Sequence, residues 1–232
     1  ASGLPHFYGN CEFDFAALQR VSKDDAEDMK CLFTVGSKSY YQNNVISFIG
    51  VSASGKTTIL KLLTLVCRML NNEALNTISC SEILSNLSPE SEVVLDIYFY
   101  ADNNTVNLLH TVISKKEERL YIKDEYLKSK PTAKVKSKKN LYDFDYIETE
   151  IQRDTDEAFL LEDVSICVAF NKKTGDRISL TDTLQFTNLN ELSILDDCPA
   201  ELIEFFDPSV EYLKIKKEGK SSDIRLKFKN EE

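Results

Sequence analysis

One segment of this 232-residue chain has the residue types and spacing of a phosphate-binding loop. Residues 50–57 read Gly-Val-Ser-Ala-Ser-Gly-Lys-Thr, which fits the pattern G-x-x-x-x-G-K-[ST]. The glycines allow a tight turn in which successive backbone N–H groups point at an anion. A helix that follows the loop adds unpaired N–H groups and the positive end of its dipole. The sequence therefore predicts a cradle for the phosphates of a nucleotide.

The side chains around the second glycine would supply the remaining chemistry. Lys56 is expected to neutralise the β- and γ-phosphates, which makes it the candidate catalytic residue. The Thr57 hydroxyl is the candidate Mg²⁺ ligand, and Thr58 is placed for an α-phosphate contact. The predicted nucleotide-binding residues are Gly50, Ser52, Ala53, Ser54, Gly55, Lys56, Thr57 and Thr58.

Two elements must position this loop. Val45–Ile49 is a short, nearly continuous apolar run rich in β-branched residues, which is typical of a strand buried on both faces of a parallel sheet. After Gly55 the apolar residues recur at three- and four-residue spacing, which predicts an amphipathic helix that stops at Asn71-Asn72.

The rest of the chain favours an α/β fold with a large antiparallel part. A strand pair is expected near Cys11–Phe15, and a short helix over Ser81–Leu87. Hairpin connections predict an antiparallel sheet from Val93–Tyr100, Val106–Ser114 and Leu120–Ile122. Further expectations are a strand over Val164–Phe170, helices in Leu184–Leu195 and Pro199–Phe206, and a hairpin of Val210–Lys216 with Ile224–Phe228. We expect a phosphate-loop core over residues 1–90, a β subdomain over 91–170, and a return to the core over 171–232.

Hydrolysis would need a second acidic residue at the end of another apolar strand. Three segments imitate that pattern, and they end in Asp96, Glu162-Asp163 and Asp196-Asp197. Each has the wrong flanking residues, so we interpret all three as solvated or turn acids. The catalytic acid is expected to lie outside this sequence.

Charge is distributed unevenly along the chain. The net charge is −10, but residues 115–140 carry ten basic and four acidic residues, a local balance of +6. The run Lys128–Lys139 holds six lysines and no acid. It is interpreted either as a solvated sheet edge or as a DNA or RNA contact.

Cysteine spacing and hydropathy indicate the cellular compartment in which the protein is expected. The six cysteines stand far apart without a C-x-x-C pair, which favours reduced cysteines in a cytoplasmic protein over a zinc site or disulfides. No apolar run is long enough to predict a membrane span.

Several segments together resemble a known family. Gly3–Phe7, Asn43–Gly50, Ala53–Thr57 and Phe206–Leu213 look like the bacterial AAA-family ATP-binding proteins with an ABC-type ATPase head. That group is close to SMC, RecF and OLD-like heads and is often encoded in phage-defence or abortive-infection loci. The resemblance implies a P-loop NTPase fold, ATP and Mg²⁺ as cofactors, and a homodimer that sandwiches ATP.

The resemblance also implies that this chain is the N-terminal portion of an incomplete head. The signature motif, the Walker B acid pair and the switch histidine of the family follow a hairpin that resembles Val210–Phe228, and none is found in this sequence. ATP would then be bound but turned over very slowly, with an effector protein as a possible partner.

Two alternatives stay open at this point. A P-loop kinase would need an arginine-rich lid, and a GTPase would need Asp where Asn171-Lys172-Lys173-Thr174 has Thr. A nucleotide-regulated interaction module that binds without hydrolysis is the other alternative, because the residues that would show hydrolysis are the missing ones.

Overall fold

The described part of the chain is a mixed α/β structure in which every strand pair is antiparallel. The computed structural model describes residues 1–5, 7, 9–17, 21–49, 55–153, 160–175, 210–218 and 221–229. Its helices and strands are α1 (Lys23–Asp28), β1 (Lys30–Val35), β2 (Lys38–Gln42), α2 (Lys56–Leu70), β3 (Glu92–Ala101), β4 (Thr105–Lys116), β5 (Arg119–Pro131), β6 (Thr149–Gln152), α3 (Cys167–Thr174), β7 (Val210–Glu218) and β8 (Ser221–Phe228). Short 3₁₀-helices cover Leu75–Thr77, Ser79–Leu84, Thr132–Lys134 and Lys139–Leu141. The chain divides into two compact units, residues 1–180 and 181–232.

The main sheet of the first unit has the strand order β3-β4-β5-β6. Its two hairpin turns contain Asn104 with φ 60° and Glu117 with φ 55°, the left-handed geometry that tight strand connections use. The predicted antiparallel arrangement is thus confirmed. The third strand is longer than expected, because β5 continues from Arg119 to Pro131, so the lysine run begins inside a strand.

Both faces of β4 are covered, which explains why this strand is almost continuously buried. On one face, the β1–β2 hairpin and the segment after β5 form an apolar cluster of Phe33, Tyr40, Val106, Leu108, Val135, Leu141 and Phe144. On the other face, α3 and the 3₁₀-helix Leu75–Thr77 contact the sheet. There the Phe99 and Phe170 rings meet edge to face at 5.6 Å, and Asn76 Nδ2 donates to Leu120 O at 2.8 Å.

The expectation of a strand at Cys11–Phe15 is wrong. These residues form no strand, and the hairpin of this region is β1–β2. The segment contacts β2 through an isolated bridge between Ala16 and Gln42, flanked by backbone bonds at Phe15 and Ala17. Its alternating pattern therefore reflects packing beside a hairpin edge.

The expectation of a strand at Val164–Phe170 is also wrong, because α3 begins at Cys167. The buried residues Ile166, Cys167 and Phe170 follow helical spacing. A buried carboxylate from β5, that of Glu125, accepts from the Ile166 N–H at 2.8 Å and so stabilises the start of the helix.

Val45–Ile49 does not form the expected buried strand either. The segment has no strand pairing, and the exposed fractions of Val45 and Ile49 are 83% and 95%. A central strand of a parallel sheet needs neighbours on both sides. The described strands pair only in antiparallel hairpins and a meander, so they supply no such neighbour.

In the second unit, β7 and β8 form the predicted hairpin, with Glu211 and Lys227 paired at 2.9 Å. The predicted helices in Leu184–Leu195 and Pro199–Phe206 lie outside the described residues. Among the described residues, none of the helices has the length and apolar character needed to cross a membrane.

Candidate functional site

Helix α2 begins where the phosphate-loop pattern requires a helix to begin. Gly55 precedes it with φ 85° and ψ 9°, a left-handed conformation that suits glycine. The first backbone bond of the helix joins the Ile59 N–H to the Gly55 carbonyl at 3.0 Å. The N–H groups of Lys56, Thr57 and Thr58 therefore have no acceptor within the helix. The N-cap residue, Gly55, has no side chain to cap this end, and no acidic residue lies in the first turn, so the helix start favours an anion.

Packing along one face holds α2 in place. Its buried positions follow the predicted helical spacing, and Leu65 and Met69 are fully buried. The helix ends at Asn71, as the sequence predicts. At that end, Asn171 Nδ2 on α3 donates to Leu70 O at 2.7 Å. The C-terminal turn is thus tied to the element that packs on the main sheet.

A ring from the start of the chain covers Gly55. A Cβ atom at this position would lie 2.7 Å from Phe7 Cζ, closer than carbon atoms can approach. The segment that carries Phe7 is anchored on β3, because Ser2 and Val94 exchange two backbone bonds of 2.9 and 3.0 Å. No spacing pattern predicts this contact, since Phe7 and Gly55 are far apart in the chain.

The structure brings Gly55, Lys56, Thr57 and Thr58 together at the start of α2. Thr57 is exposed, and Lys56 and Thr58 are half-buried. The other predicted contacts, Gly50, Ser52, Ala53 and Ser54, lie outside the described residues. The predicted roles of Lys56 on phosphate and of Thr57 on Mg²⁺ stay predictions.

The acids considered for a metal role have other contacts. Asp96 lies in the middle of β3, with Oδ1 2.7 Å from His110 Nδ1. Asp163 Oδ2 accepts from Asn76 Nδ2 at 2.9 Å, and Asp196 and Asp197 lie outside the described residues. Among the residues that the structure describes, no group of three or more His, Cys, Asp or Glu side chains could hold a metal ion.

The lysine run is divided by the fold into inward and outward side chains. Lys130 is only 3% exposed, and its Nζ donates to the carbonyls of Asn140 at 2.5 Å, Leu141 at 3.3 Å and Asp143 at 2.7 Å. Burial lowers the pKa of this amine, and the charge of Asp143 opposes that effect.

Two further lysines of the run also contact backbone carbonyls. Lys128 donates to Phe144 O at 3.3 Å, and Lys138 donates to Ala17 O. Lys134, Lys136 and Lys139 are exposed. The interpretation as a uniformly solvated edge is therefore wrong for part of the run. A DNA or RNA contact through Lys128–Lys139 stays a prediction that three exposed ammonium groups could serve.

A buried polar network around Glu125 was missed by the sequence analysis. Oε1 accepts from Thr111 Oγ1 at 3.0 Å and from Ser165 Oγ at 2.7 Å. Oε2 accepts from Ile166 N at 2.8 Å and from Arg153 Nη1 at 3.1 Å. Glu125 is fully buried, so these four donors replace all of its water. The network joins β4, β5 and the start of α3.

Two effects oppose each other at this carboxyl. Burial raises the pKa of Glu125, while the hydrogen bonds and the Arg153 charge lower it, and burial has the larger effect. Burial, with the nearby Glu125 charge, also raises the pKa of the Cys167 thiol to about 12. Cys167 is thus protonated at neutral pH and is not a nucleophile. The cluster has a structural role.

No protein-family model matches this chain, and neither a curated protein nor a solved structure matches it.

Proposed function

We propose that this chain binds ATP together with Mg²⁺ through residues 50–58. The observation that carries the proposal is the coincidence of a sequence pattern with a helix start. Gly50–Thr57 fits the phosphate-loop pattern, and α2 begins at Lys56 of that pattern without a side-chain cap. The left-handed Gly55 and the absence of acids from the first turn fit a bound anion there.

Each described residue at the helix start has a distinct role in this proposal. The N–H groups of the first turn and the Lys56 ammonium neutralise phosphate charge. The exposed Thr57 hydroxyl would hold Mg²⁺, which would neutralise negative charge on the nucleotide phosphates. Phe7 packs on Gly55 and limits the conformations of the turn before the helix.

The wider assembly in this proposal follows the family resemblance. The chain is the ATP-binding part of an ABC-type ATPase head, and its fold is that of the N-terminal lobe of a P-loop NTPase. Hydrolysis then requires a signature motif and an acid pair from downstream residues or a partner protomer. A homodimer closed on ATP would act in phage defence or in a DNA-linked process, with an effector protein as a further partner.

Calorimetric titration of the chain with Mg²⁺–ATP tests the binding step. Lys56→Ala should lower affinity roughly ten- to hundredfold, because a charge-assisted contact to phosphate is lost. Lys61→Ala is the matched control, because Lys61 lies on the same helix and pairs with Glu82. Equal affinity of wild type and Lys56→Ala would overturn the proposal.

Two further titrations test which nucleotide binds and whether Thr57 holds Mg²⁺, and a phosphate-release assay tests turnover. Tighter binding of GTP than ATP would favour a GTPase over an ATPase head. Thr57→Val should reduce the gain in nucleotide affinity that Mg²⁺ provides, while binding of metal-free ATP changes little. Phosphate release by the chain alone should be very slow, and rapid release would contradict the need for downstream residues.

A further inference from the structure

Within the described ranges of the chain, the outer edge of β3 has no strand partner along most of its length. Val94 exchanges both backbone bonds with Ser2, so its N–H and C=O point away from β4. Because these directions alternate along a strand, the backbone groups of Asp96, Tyr98 and Tyr100 point outward as well. Among the described residues, no backbone group pairs with them. This edge can therefore accept another strand.

Two side chains beside this edge have capacity for a ligand. The Asp96 side chain is 49% exposed, and His110 holds its Oδ1 while Oδ2 has no partner among the described residues. Tyr98 is 40% exposed, and its ring packs edge to face on Tyr142 with centroids 5.1 Å apart. A carboxylate oxygen and an aromatic surface are thus presented next to each other on one face of the sheet.

The electrostatic field at this surface is negative. Burial raises the pKa of the Tyr98 phenol, and the charges of Asp96, Glu12 and Asp145 raise it further. Burial also raises the pKa of the Tyr142 phenol, and the hydrogen bond that its hydroxyl donates to Asp14 Oδ1 at 2.5 Å raises it further. In the register of the sheet, the cation aligned with Tyr98 is Lys128 on β5. Its ammonium group donates to a backbone carbonyl. A positive group is therefore the favoured occupant.

We propose that the β3 edge from Asp96 to Tyr100 binds an extended basic segment of a partner protein, which adds to the sheet as a strand. An added strand lies about 4.8 Å from β3, so every second side chain falls beside Asp96 and Tyr98. An arginine there can donate to the free oxygen of Asp96 while its guanidinium stacks on the Tyr98 ring.

Two other occupants fit this edge less well. Nucleic acid is repelled by the acids around Tyr98, and the exposed lysines of the lysine run, Lys134, Lys136 and Lys139, lie in the segment after β5. A second copy that paired through the same edge would bring two Asp96 carboxylates into one short antiparallel ladder, which is unfavourable.

Fluorescence anisotropy with two labelled heptapeptides tests the proposal. The probes are Thr-Arg-Val-Arg-Val-Arg-Thr and its counterpart with Glu in place of Arg, at low salt. The Arg peptide should bind, and Asp96→Asn should weaken it about two- to fivefold, as expected for loss of one ion pair at a partly exposed site. Asp102→Asn is the matched control, because Asp102 is an exposed acid in the turn that follows β3. Circular dichroism of both variants checks that they fold.

The outcomes distinguish the proposal from its alternatives. Equal binding of the Arg and Glu peptides, or equal loss in Asp96→Asn and Asp102→Asn, would overturn it. An Arg peptide with alternate N-methyl groups cannot pair along the edge, so undiminished binding of that peptide would overturn strand addition. Sedimentation that shows a dimer of the chain, and a tighter dimer in Asp96→Asn, would assign the edge to a second copy.

Discussion

The sheet strands β3 to β5 and the segment Val45–Ile49 both carry apolar and β-branched residues, yet they fold differently. The strands form a long antiparallel ladder with one irregularity between β4 and β5, and β4 is buried on both faces. Val45–Ile49 lies without strand pairing and with its ends exposed, although it is as apolar as β4. The helix directly after it, α2, is nevertheless well packed.

This difference shows how far local sequence can position an element. The strands of a hairpin find their partners a few residues away, so the turn and the apolar alternation suffice. A central parallel strand depends on partners from distant parts of the chain. The helix is intermediate, since it packs against the 3₁₀-helix Ser79–Leu84 and α3 whatever precedes Gly55.

The largest expected effect on stability comes from a substitution in the main sheet. Glu125→Ala leaves the Arg153 guanidinium buried without its carboxylate, so we expect a loss of about 3–5 kcal/mol in the free energy of unfolding. Urea denaturation measures it. Glu118→Ala, at a side chain that is 92% exposed, is the control and should change stability by less than about 0.5 kcal/mol. A similar small effect of Glu125→Ala would contradict the buried network.

A direct comparison of the two regions comes from truncating one aliphatic side chain in each. Leu109→Ala, in fully buried β4, should cost about 2–5 kcal/mol because it leaves a cavity. Ile49→Ala should cost less than about 0.5 kcal/mol, because the side chain is 95% exposed. The measurement is again urea denaturation. A cost of several kcal/mol for Ile49→Ala would mean that Val45–Ile49 is a buried strand in solution.

The parts of the fold that the sequence predicted are those with local causes. The β3–β4 and β4–β5 hairpins, the β7–β8 hairpin, and the start and end of α2 follow from turns and periodicity. The strand predicted at Val164–Phe170 is a helix because Glu125, on a distant strand, stabilises the helix start. Alternation of apolar residues cannot reveal such a contact.

Part of the candidate site was predictable because its position also has local causes. Lys56, Thr57 and Thr58 are at the helix start because pattern and period agree there. The burial of Lys130 was not predictable, since it depends on three carbonyls that converge after an irregular segment. The contact of Phe7 with Gly55 likewise depends on how the first residues pair with β3.

A smaller effect is expected at the boundary between the loop and α2. Gly55→Ala forces a left-handed conformation on alanine and places a methyl group against the Phe7 ring, so we expect a cost of about 1–3 kcal/mol. Gly36→Ala is the matched control, because Gly36 has φ 60° but nothing within 4 Å of the added carbon. Thermal unfolding should show a larger loss at Gly55, and Phe7→Ala should reduce that difference. Equal losses would mean that Phe7 does not pack there.

The smallest expected effect concerns a surface ion pair between β6 and α3. Glu150 Oε1 lies 2.5 Å from Lys173 Nζ, and although burial raises the Glu150 pKa, the Lys173 and Ser129 contacts outweigh it and leave the pKa below its ordinary value of 4.5. A carboxyl with a lowered folded-state pKa stabilises the fold above about pH 4.5, and this contribution is lost as the pH falls through the folded value. Glu150→Gln should therefore cost less than about 1 kcal/mol at pH 7 and nothing at more acidic pH. Urea denaturation at both pH values measures this, with Glu148→Gln at a nearby exposed acid as the control. If the cost of Glu150→Gln grows toward low pH, the Glu150–Lys173 ion pair is contradicted. Other contacts would then hold this edge of the sheet to α3.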